Sequence, residues 1–378
     1  MTCTVNADEF CHTVHMAAEA TTPIVGPTRT PVAPGQGRVA MPQLARHLIT
    51  LDNGHEVGVA VCGRGVPLVV VHGFSAEGIL YAQTLSRITS LGFKVVAVDV
   101  AGHGATLGLP TGAGTLSSYT ELLGKALNHL GVEKAVLAGH SMGGRLVTEL
   151  AANHTDQAIA VLLLDAIVGD TWDRMVNLFR ICPPLLAGVG AGLVVDTLTT
   201  VPLFRDPTQA RKLGRLVAPT MLGHLRRPWR MAGPAISIMR SKGSRWMLER
   251  LAEERVPVFA IHGDRDMAVP ISTARSAARR SRGELVVVHG GSHSWLLKDP
   301  ESLPAIMHRL MKGRLGTAVL KAILAGGIDP NGATDEDIES IFYTPDSLAI
   351  RLTPPAQDFE DLEEYHRRPR YRFTVTMD

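Results

Sequence analysis

Lys134-Ala-Val-Leu-Ala-Gly-His-Ser-Met-Gly-Gly-Arg-Leu-Val-Thr-Glu-Leu-Ala-Ala-Asn153 is the stretch from which the rest of the chain is read. Lys134–Ala138 is an apolar run of strand length, and the residues through Asn153 read as a helix. Between them, Gly139-His140-Ser141-Met142-Gly143 is a G-x-S-x-G motif in the strand–turn–helix setting that gives it structural meaning. The turn is so tight that the neighbours of the serine have no room for large side chains, which accounts for the glycines. The Ser141 hydroxyl is thereby lifted to a helix N-terminus, beside unpaired backbone N–H groups and a favourable dipole.

Working outward, the same strand-and-helix alternation recurs. Leu44–Leu51 and His55–Val61 flank Asp52-Asn53-Gly54, a strong hairpin signal. Val66–Val71, Lys94–Val98, Lys134–Ala138, Ile159–Leu164, Val256–Ile261 and Glu284–Val288 are continuous Val/Leu/Ile-rich runs, the mark of strands buried on both faces. Tyr119, Leu122, Leu123, Ala126, Leu127 and Leu130 share one face of an amphipathic helix, and Leu303, Ile306, Met307 and Leu310 repeat that spacing before Gly313. The expectation is an α/β fold with a mostly parallel, eight-stranded sheet flanked by helices. Ala166 to Arg255 breaks the alternation and reads as a helical insertion after the sixth strand. Residues 1–43, rich in Thr and Pro, read as a flexible leader. The sequence assigns 44–312 to one domain and 313–378 to an extension, acidic over 329–365 and then basic. Thr334 with Asp337 is a capping signal for one short helix in it.

Composition narrows the function classes. Thirty-eight Lys and Arg against 36 Asp and Glu leave a net charge of +2, so no global field draws the chain to nucleic acid. Aromatic residues at 5% leave little for base stacking. Cys3, Cys11, Cys62 and Cys182 show no CxxC or paired spacing and read as reduced bystanders, compatible with a cytoplasmic setting. The N-terminus lacks the basic-then-apolar pattern of a secretory signal, and no run reaches the roughly 20 apolar residues of a membrane span. No His/Cys/Asp group has metal-ligand spacing, and no cofactor motif stands out.

A serine is a weak nucleophile at neutral pH and needs a base, which needs an orienting acid. Ile261-His262-Gly263-Asp264-Arg265-Asp266 closes one late strand and Gly290-Gly291-Ser292-His293 closes the next. Both groups therefore sit on the sheet edge that presents Ser141. Over residues 44 to 312 the chain resembles an α/β-hydrolase fold enzyme of the serine esterase or lipase kind. The likeness rests on His72-Gly73-Phe74, Asp99-Val-Ala-Gly-His-Gly104, Gly139-His-Ser-Met-Gly-Gly144, Gly263-Asp-Arg-Asp-Met-Ala-Val-Pro270 and Gly291-Ser-His293. It implies Ser141 as nucleophile, Asp266 as acid, His293 as base, and the backbone N–H groups of Phe74 and Met142 as an oxyanion hole. Asp264 and Asp165 are the alternative acids. His72, His103, His140 and His289 read as structural.

The resemblance implies hydrolysis of a carboxylic ester through an acyl-enzyme. Carbon–carbon bond hydrolysis, cofactor-free perhydrolysis and non-catalytic ligand binding are the alternatives. The insertion would form a cap. Ile181 to Leu203 carries one charge, Asp196, which suits an apolar acyl chain and equally suits a helix packed on the core. Between Trp172 and Arg255 fourteen basic residues face six acidic ones, a local balance of +8. Such a surface fits peripheral contact with anionic lipid, or with the acidic tail of the same chain.

Overall fold

The Val- and Leu-rich runs are consecutive strands of one sheet, buried because helices cover both faces. The computed structural model describes residues 40–41, 44–74, 81–110, 114–182, 229–353, 357–358 and 369–377, with 184–185, 188–189, 192 and 196 between. The leader through residue 39, most of the expected cap from 183 to 228, and 359–368 of the extension lie outside them. The strands are β1 (Ala45–Thr50), β2 (Glu56–Cys62), β3 (Val66–Val71), β4 (Phe93–Val98), β5 (Ala135–His140), β6 (Ala158–Leu164), β7 (Val258–Gly263), β8 (Glu284–Val288) and β9 (Phe373–Met377). Their order across the sheet is β9-β8-β7-β6-β5-β3-β4-β2-β1. β3 to β8 run parallel. β1 pairs antiparallel with β2, β2 with β4, and β9 with β8.

The sheet thus has nine strands, not the eight expected. The additional strand, Phe373-Thr-Val-Thr-Met377, is an edge strand, half-covered and exposed by turns. It lacks the unbroken apolar character that marks the interior strands. All eight expected strands are present, with ends shifted by at most two residues.

The helices are α1 (Ala82–Ile88), α2 (Leu116–Leu130), α3 (Met142–Asn153), α4 (Asp170–Ile181), α5 (Trp229–Met239), α6 (Arg245–Glu253), α7 (Ile271–Ser281), α8 (Trp295–Lys298), α9 (Ser302–Met311), α10 (Arg314–Ala325), α11 (Asp335–Phe342) and α12 (Leu348–Arg351). Leu127 of α2 and Leu150 of α3 meet Leu137 on one face of the sheet. On the other face Leu85, Ile88, Leu303 and Met307 of α1 and α9 meet Val70, Ala138 and Leu162. α4, α5 and α6 lie between β6 and β7, so the described part of the insertion is helical. Among the described residues no helix is long and apolar enough to cross a membrane.

The extension is tied into this framework by charge. Lys94 of β4 is fully buried, and burial pulls its ammonium down to about 8 against the opposing pull of Glu339. Glu339 of α11 lies 3.6 Å from Lys94 Nζ and accepts from Arg64 Nε at 2.9 Å, while Arg64 also reaches Glu336 at 2.7 Å. These acids therefore pair with β4 and the β2–β3 turn. Among the described residues none pairs with the basic helices after β6. Thr334 and Asp337 cap α11 reciprocally, Asp337 N–H donating to Thr334 Oγ1 at 3.2 Å. Next to Lys94, burial pushes the Cys62 thiol up to about 12, so it stays protonated. Removing one member of a buried pair leaves the other charge uncompensated, which costs about 3–5 kcal/mol. Glu339→Ala should lower stability by that order in urea unfolding, whereas exposed Glu336→Ala should cost under ~1 kcal/mol. Equal effects would contradict this account.

Candidate active site

The elbow is a backbone feature before it is a chemical one. β5 ends at His140, and Ser141 turns the chain with φ 52° and ψ −116° before α3 begins. A non-glycine residue in such a conformation costs on the order of 1–3 kcal/mol and persists only when its surroundings fix it. They do. Ser141 N–H donates to Leu164 O at 2.8 Å, and its carbonyl accepts from Gly144 at 3.1 Å and Ile167 at 3.2 Å. A Cβ on Gly143 would fall 2.1 Å from the Val71 carbonyl oxygen, and one on Gly139 would fall 2.4 Å from the Gly143 carbonyl. Glycine is required at both positions, as the motif implies.

The loop after β3 packs directly on this turn. A Cβ on Gly73 would lie 2.9 Å from Ser141 Cβ and 2.8 Å from His140 Nδ1. His72 fixes the loop, its Nδ1 bonding the Gly73 carbonyl at 2.8 Å and its Nε2 accepting from Val100 N–H at 2.9 Å. Phe74, the next residue, stands edge-on to the His103 ring at 6.0 Å. Phe74 and Met142 thus flank Ser141, one following the residue packed on its Cβ and the other opening α3, whose first N–H groups have no partner within the helix.

His293 and Asp266 form a short, buried polar contact. Asp266 Oδ2 accepts from His293 Nδ1 at 2.6 Å, and its Oδ1 accepts from the N–H groups of Ala268 at 2.8 Å and Val269 at 2.9 Å. Burial opposes charge on both partners, yet their mutual attraction prevails. The imidazole is raised above its ordinary 6.5 and the carboxyl is held below its ordinary 3.8. The histidine loop is fastened to the elbow by His140. Its Nε2 donates to the His293 carbonyl at 3.0 Å, and its Nδ1 accepts from the Tyr81 hydroxyl at 3.0 Å. Burial, with His293 adding to it, drives the His140 imidazole down to about 3, so this ring stays neutral. The Ser141 hydroxyl makes no hydrogen bond to the His293 ring among the described residues.

Among the described residues, neither alternative acid hydrogen-bonds the His293 ring. Asp264 bonds His289 Nδ1 at 3.2 Å and Gly290 N–H at 2.7 Å. Asp165 accepts from Gly263 N–H at 2.9 Å and from Trp295 Nε1 at 2.6 Å. Complete burial, reinforced by the charge of Asp266, pushes the Asp165 carboxyl well above the usual range. His262 lies between the two carboxylates, 3.8 Å from Asp165 Oδ1 and 3.5 Å from Asp266 Oδ2, with Nε2 donating to the Val269 carbonyl at 2.7 Å. Asp165, His262 and Asp266 are close enough to share a cation, their ligand atoms lying within 4.8 Å of one another. The hydrogen bonds above already engage the carboxylate oxygens and His262 Nε2, while His262 Nδ1 is buried without a hydrogen-bond partner among the described residues.

Sequence reasoning overlooked Tyr81 and Trp295, which carry no motif, and His262, whose only signal is its place four residues before Asp266. Residues 68–303 match the alpha/beta hydrolase family. The chain belongs to this family. Among its members, a mycobacteriophage D29 protein named "Putative non-heme haloperoxidase" is 33% identical over 260 residues, covering 67% of this chain and 90% of that one. The monoacylglycerol lipase of Mycolicibacterium smegmatis is 27% identical over 244 residues, covering 63% and 84%. Of solved structures, an esterase from Rhodococcus sp. ECU1013 superposes with a TM-score of 0.55 at 21% identity, covering 71% of this chain and 98% of its own. The family match and the lipase relative support a hydrolase, and the esterase structure shows the shared fold.

The His293–Asp266 pairing has a direct readout. In NMR titration the His293 imidazole should titrate above 6.5. In Asp266→Asn, burial remains without the compensating charge, so it should titrate below that value. An unchanged midpoint would contradict the pairing.

Proposed function

We propose that the protein is a serine hydrolase of carboxylic esters with apolar acyl groups. The observation that carries this reading is the 2.6 Å His293–Asp266 pair, roped through His140 to a serine held in a strained turn at a helix N-terminus. Ser141 Oγ attacks the ester carbonyl while His293 Nε2 takes its proton. Asp266 orients the imidazole and stabilises the imidazolium that forms. The N–H groups of Phe74 and Met142 receive the oxyanion, where each such donor is worth about 3 kcal/mol. His293 returns the proton to the leaving alcohol, and a water activated by the same imidazole releases the acid from Ser141. The named activities of the lipase and esterase relatives favour this chemistry.

A second reading draws support from the phage haloperoxidase relative. In cofactor-free perhydrolysis, hydrogen peroxide replaces water as the nucleophile that cleaves the acyl-enzyme, giving a peracid. The active-site residues keep the same roles.

The substrate's source is proposed from the surface of α4. Its inner stripe, Trp172, Val176 and Phe179, is buried. Its outer stripe runs from exposed Arg174 to Leu178 and Ile181, the latter 82% exposed, and Leu185 beyond the helix end continues it. Exposed Arg240 and Lys242 lie near Arg180, which bonds the Met239 and Ser241 carbonyls at 2.7 and 2.6 Å. An apolar stripe rimmed by cations fits an anionic lipid surface.

Two experiments follow. A fluorophosphonate probe should label the wild type and not Ser141→Ala, and kcat/KM for p-nitrophenyl esters should rise from acetyl to octanoyl. A folded but unlabelled wild type would overturn the hydrolase reading, and labelling without ester turnover would favour the perhydrolase. Separately, the protein should co-sediment with vesicles containing phosphatidylglycerol more than with phosphatidylcholine alone, and Ile181→Asp should weaken that binding severalfold. Equal binding to both vesicles, or no loss in the variant, would contradict the lipid contact.

A further inference from the structure

We propose that the C-terminal segment Arg370–Met377 is a brace for the histidine loop, with Tyr371 acting through Trp295 as a positioning residue for His293. The proposal rests on the Ser141–His293–Asp266 reading. It concerns a part of the chain beyond the family match, which ends at residue 303.

The loop that carries His293 is weakly determined by its own sequence. Gly290, Gly291 and Ser292 precede the histidine, and Gly290 has φ +79°, so the backbone there has much freedom to lose. Without β9, the preceding strand β8 would also be the sheet's edge. β9 pairs along the whole of β8, from Met377 opposite Glu284 to Phe373 opposite Val288. The pairing continues to the root of the loop, where His289 N–H donates to the Arg372 carbonyl at 2.8 Å. The His289 side chain then links three segments. Nδ1 meets Asp264 Oδ2 at 3.2 Å and Nε2 meets Thr374 Oγ1 at 3.2 Å. The extension is thus clasped to the acid loop two residues before Asp266 and to the base loop four residues before His293.

The far side of the loop is held in the same way. Arg370 N–H donates to Asp299 Oδ2 at 2.7 Å, and Tyr371 N–H donates to Ser302 Oγ at 3.3 Å. These bonds hold the Tyr371 ring edge-on to Trp295 at 6.3 Å. Trp295 is fully buried, two residues after His293, and its indole N–H donates to Asp165 Oδ2 at 2.6 Å. Asp165 in turn receives Gly263 N–H at the end of β7, three residues before Asp266. A continuous packed path therefore runs from Tyr371 through Trp295 and Asp165 to the strand end that carries the acid. His293 is fixed at both ends of its loop, by β9 on one side and by the Tyr371–Trp295 contact on the other. Misplacing a catalytic group by about 1 Å costs up to 10²-fold in rate, so slack in this loop registers in turnover and not in substrate affinity.

The test uses the full chain. Tyr371→Ala keeps the β9 ladder and removes the ring, and Tyr371→Phe keeps the ring. With p-nitrophenyl butyrate, Tyr371→Ala should lower kcat about tenfold with KM unchanged, and Tyr371→Phe should restore it. The rate of fluorophosphonate labelling at Ser141 should fall in parallel. Should Tyr371→Ala not fold by circular dichroism, Trp295→Phe decides, because it removes the N–H to Asp165 and keeps an aromatic ring in the core. Wild-type kcat in folded Tyr371→Ala, or in Trp295→Phe where that variant decides, or a change confined to KM, overturns the brace. Labelling that fails already in the wild type overturns instead the hydrolase reading on which it rests.

Discussion

Everything at the candidate site depends on how closely α3 approaches the end of β3. A Cβ on Gly143 would sit 2.1 Å from the Val71 carbonyl oxygen and 2.6 Å from that of His72. This approach forces the chain to reverse within one residue, and Ser141 takes the positive φ. The same approach lays Gly73 against Ser141 Cβ and sets Phe74 beside it. The strain at Ser141 and the placement of Phe74 and Met142 beside it are consequences of one packing constraint between a strand end and a helix start.

Around that constraint the ionisable groups divide by environment. Asp266 has two backbone donors and an imidazole and is held as a carboxylate. Asp165, a short distance away, has the indole, one backbone N–H and the attraction of His293, and burial together with the charge of Asp266 outweighs them and pushes it toward the neutral acid. Two carboxyls so near one another would repel if both were charged, and His262 between them bonds a carbonyl rather than neutralising either. The imidazoles separate in the same manner. His293 faces Asp266 and becomes more basic, while His140 faces a phenol and a carbonyl and stays neutral. Only one imidazole of the pair is thereby equipped to take up a proton.

Much of this was legible in the sequence because the fold is written in runs of apolar residues. Six of the nine strands follow from Val/Leu stretches and two from the hairpin signal at Asp52-Asn53-Gly54, and the elbow follows from glycines whose spacing a tight turn demands. The ninth strand was not legible, since an edge strand needs no continuous apolar run and Phe373-Thr-Val-Thr-Met377 alternates instead. The choice among Asp264, Asp165 and Asp266 did not follow from strand ends alone, as all three sit at such ends. It came from the family resemblance, and the structure joins only Asp266 to His293. Lys94–Glu339, Tyr81–His140 and Trp295–Asp165 were invisible for a common reason. Each pairs residues distant in sequence, with no local pattern to betray the contact. Within the acidic extension, Glu336 and Glu339 hold Arg64, and Glu339 also lies beside Lys94.

The central claim is that Ser141 is the nucleophile and passes through an acyl-enzyme. The most direct measurement is rapid acid quench of the protein during turnover of p-nitrophenyl butyrate, followed by peptide mass spectrometry. A butyryl group on the peptide containing Ser141, absent from Ser141→Ala, is the predicted result. Ester turnover with butyryl on a different residue, or with Ser141→Ala as active as the wild type, would contradict it.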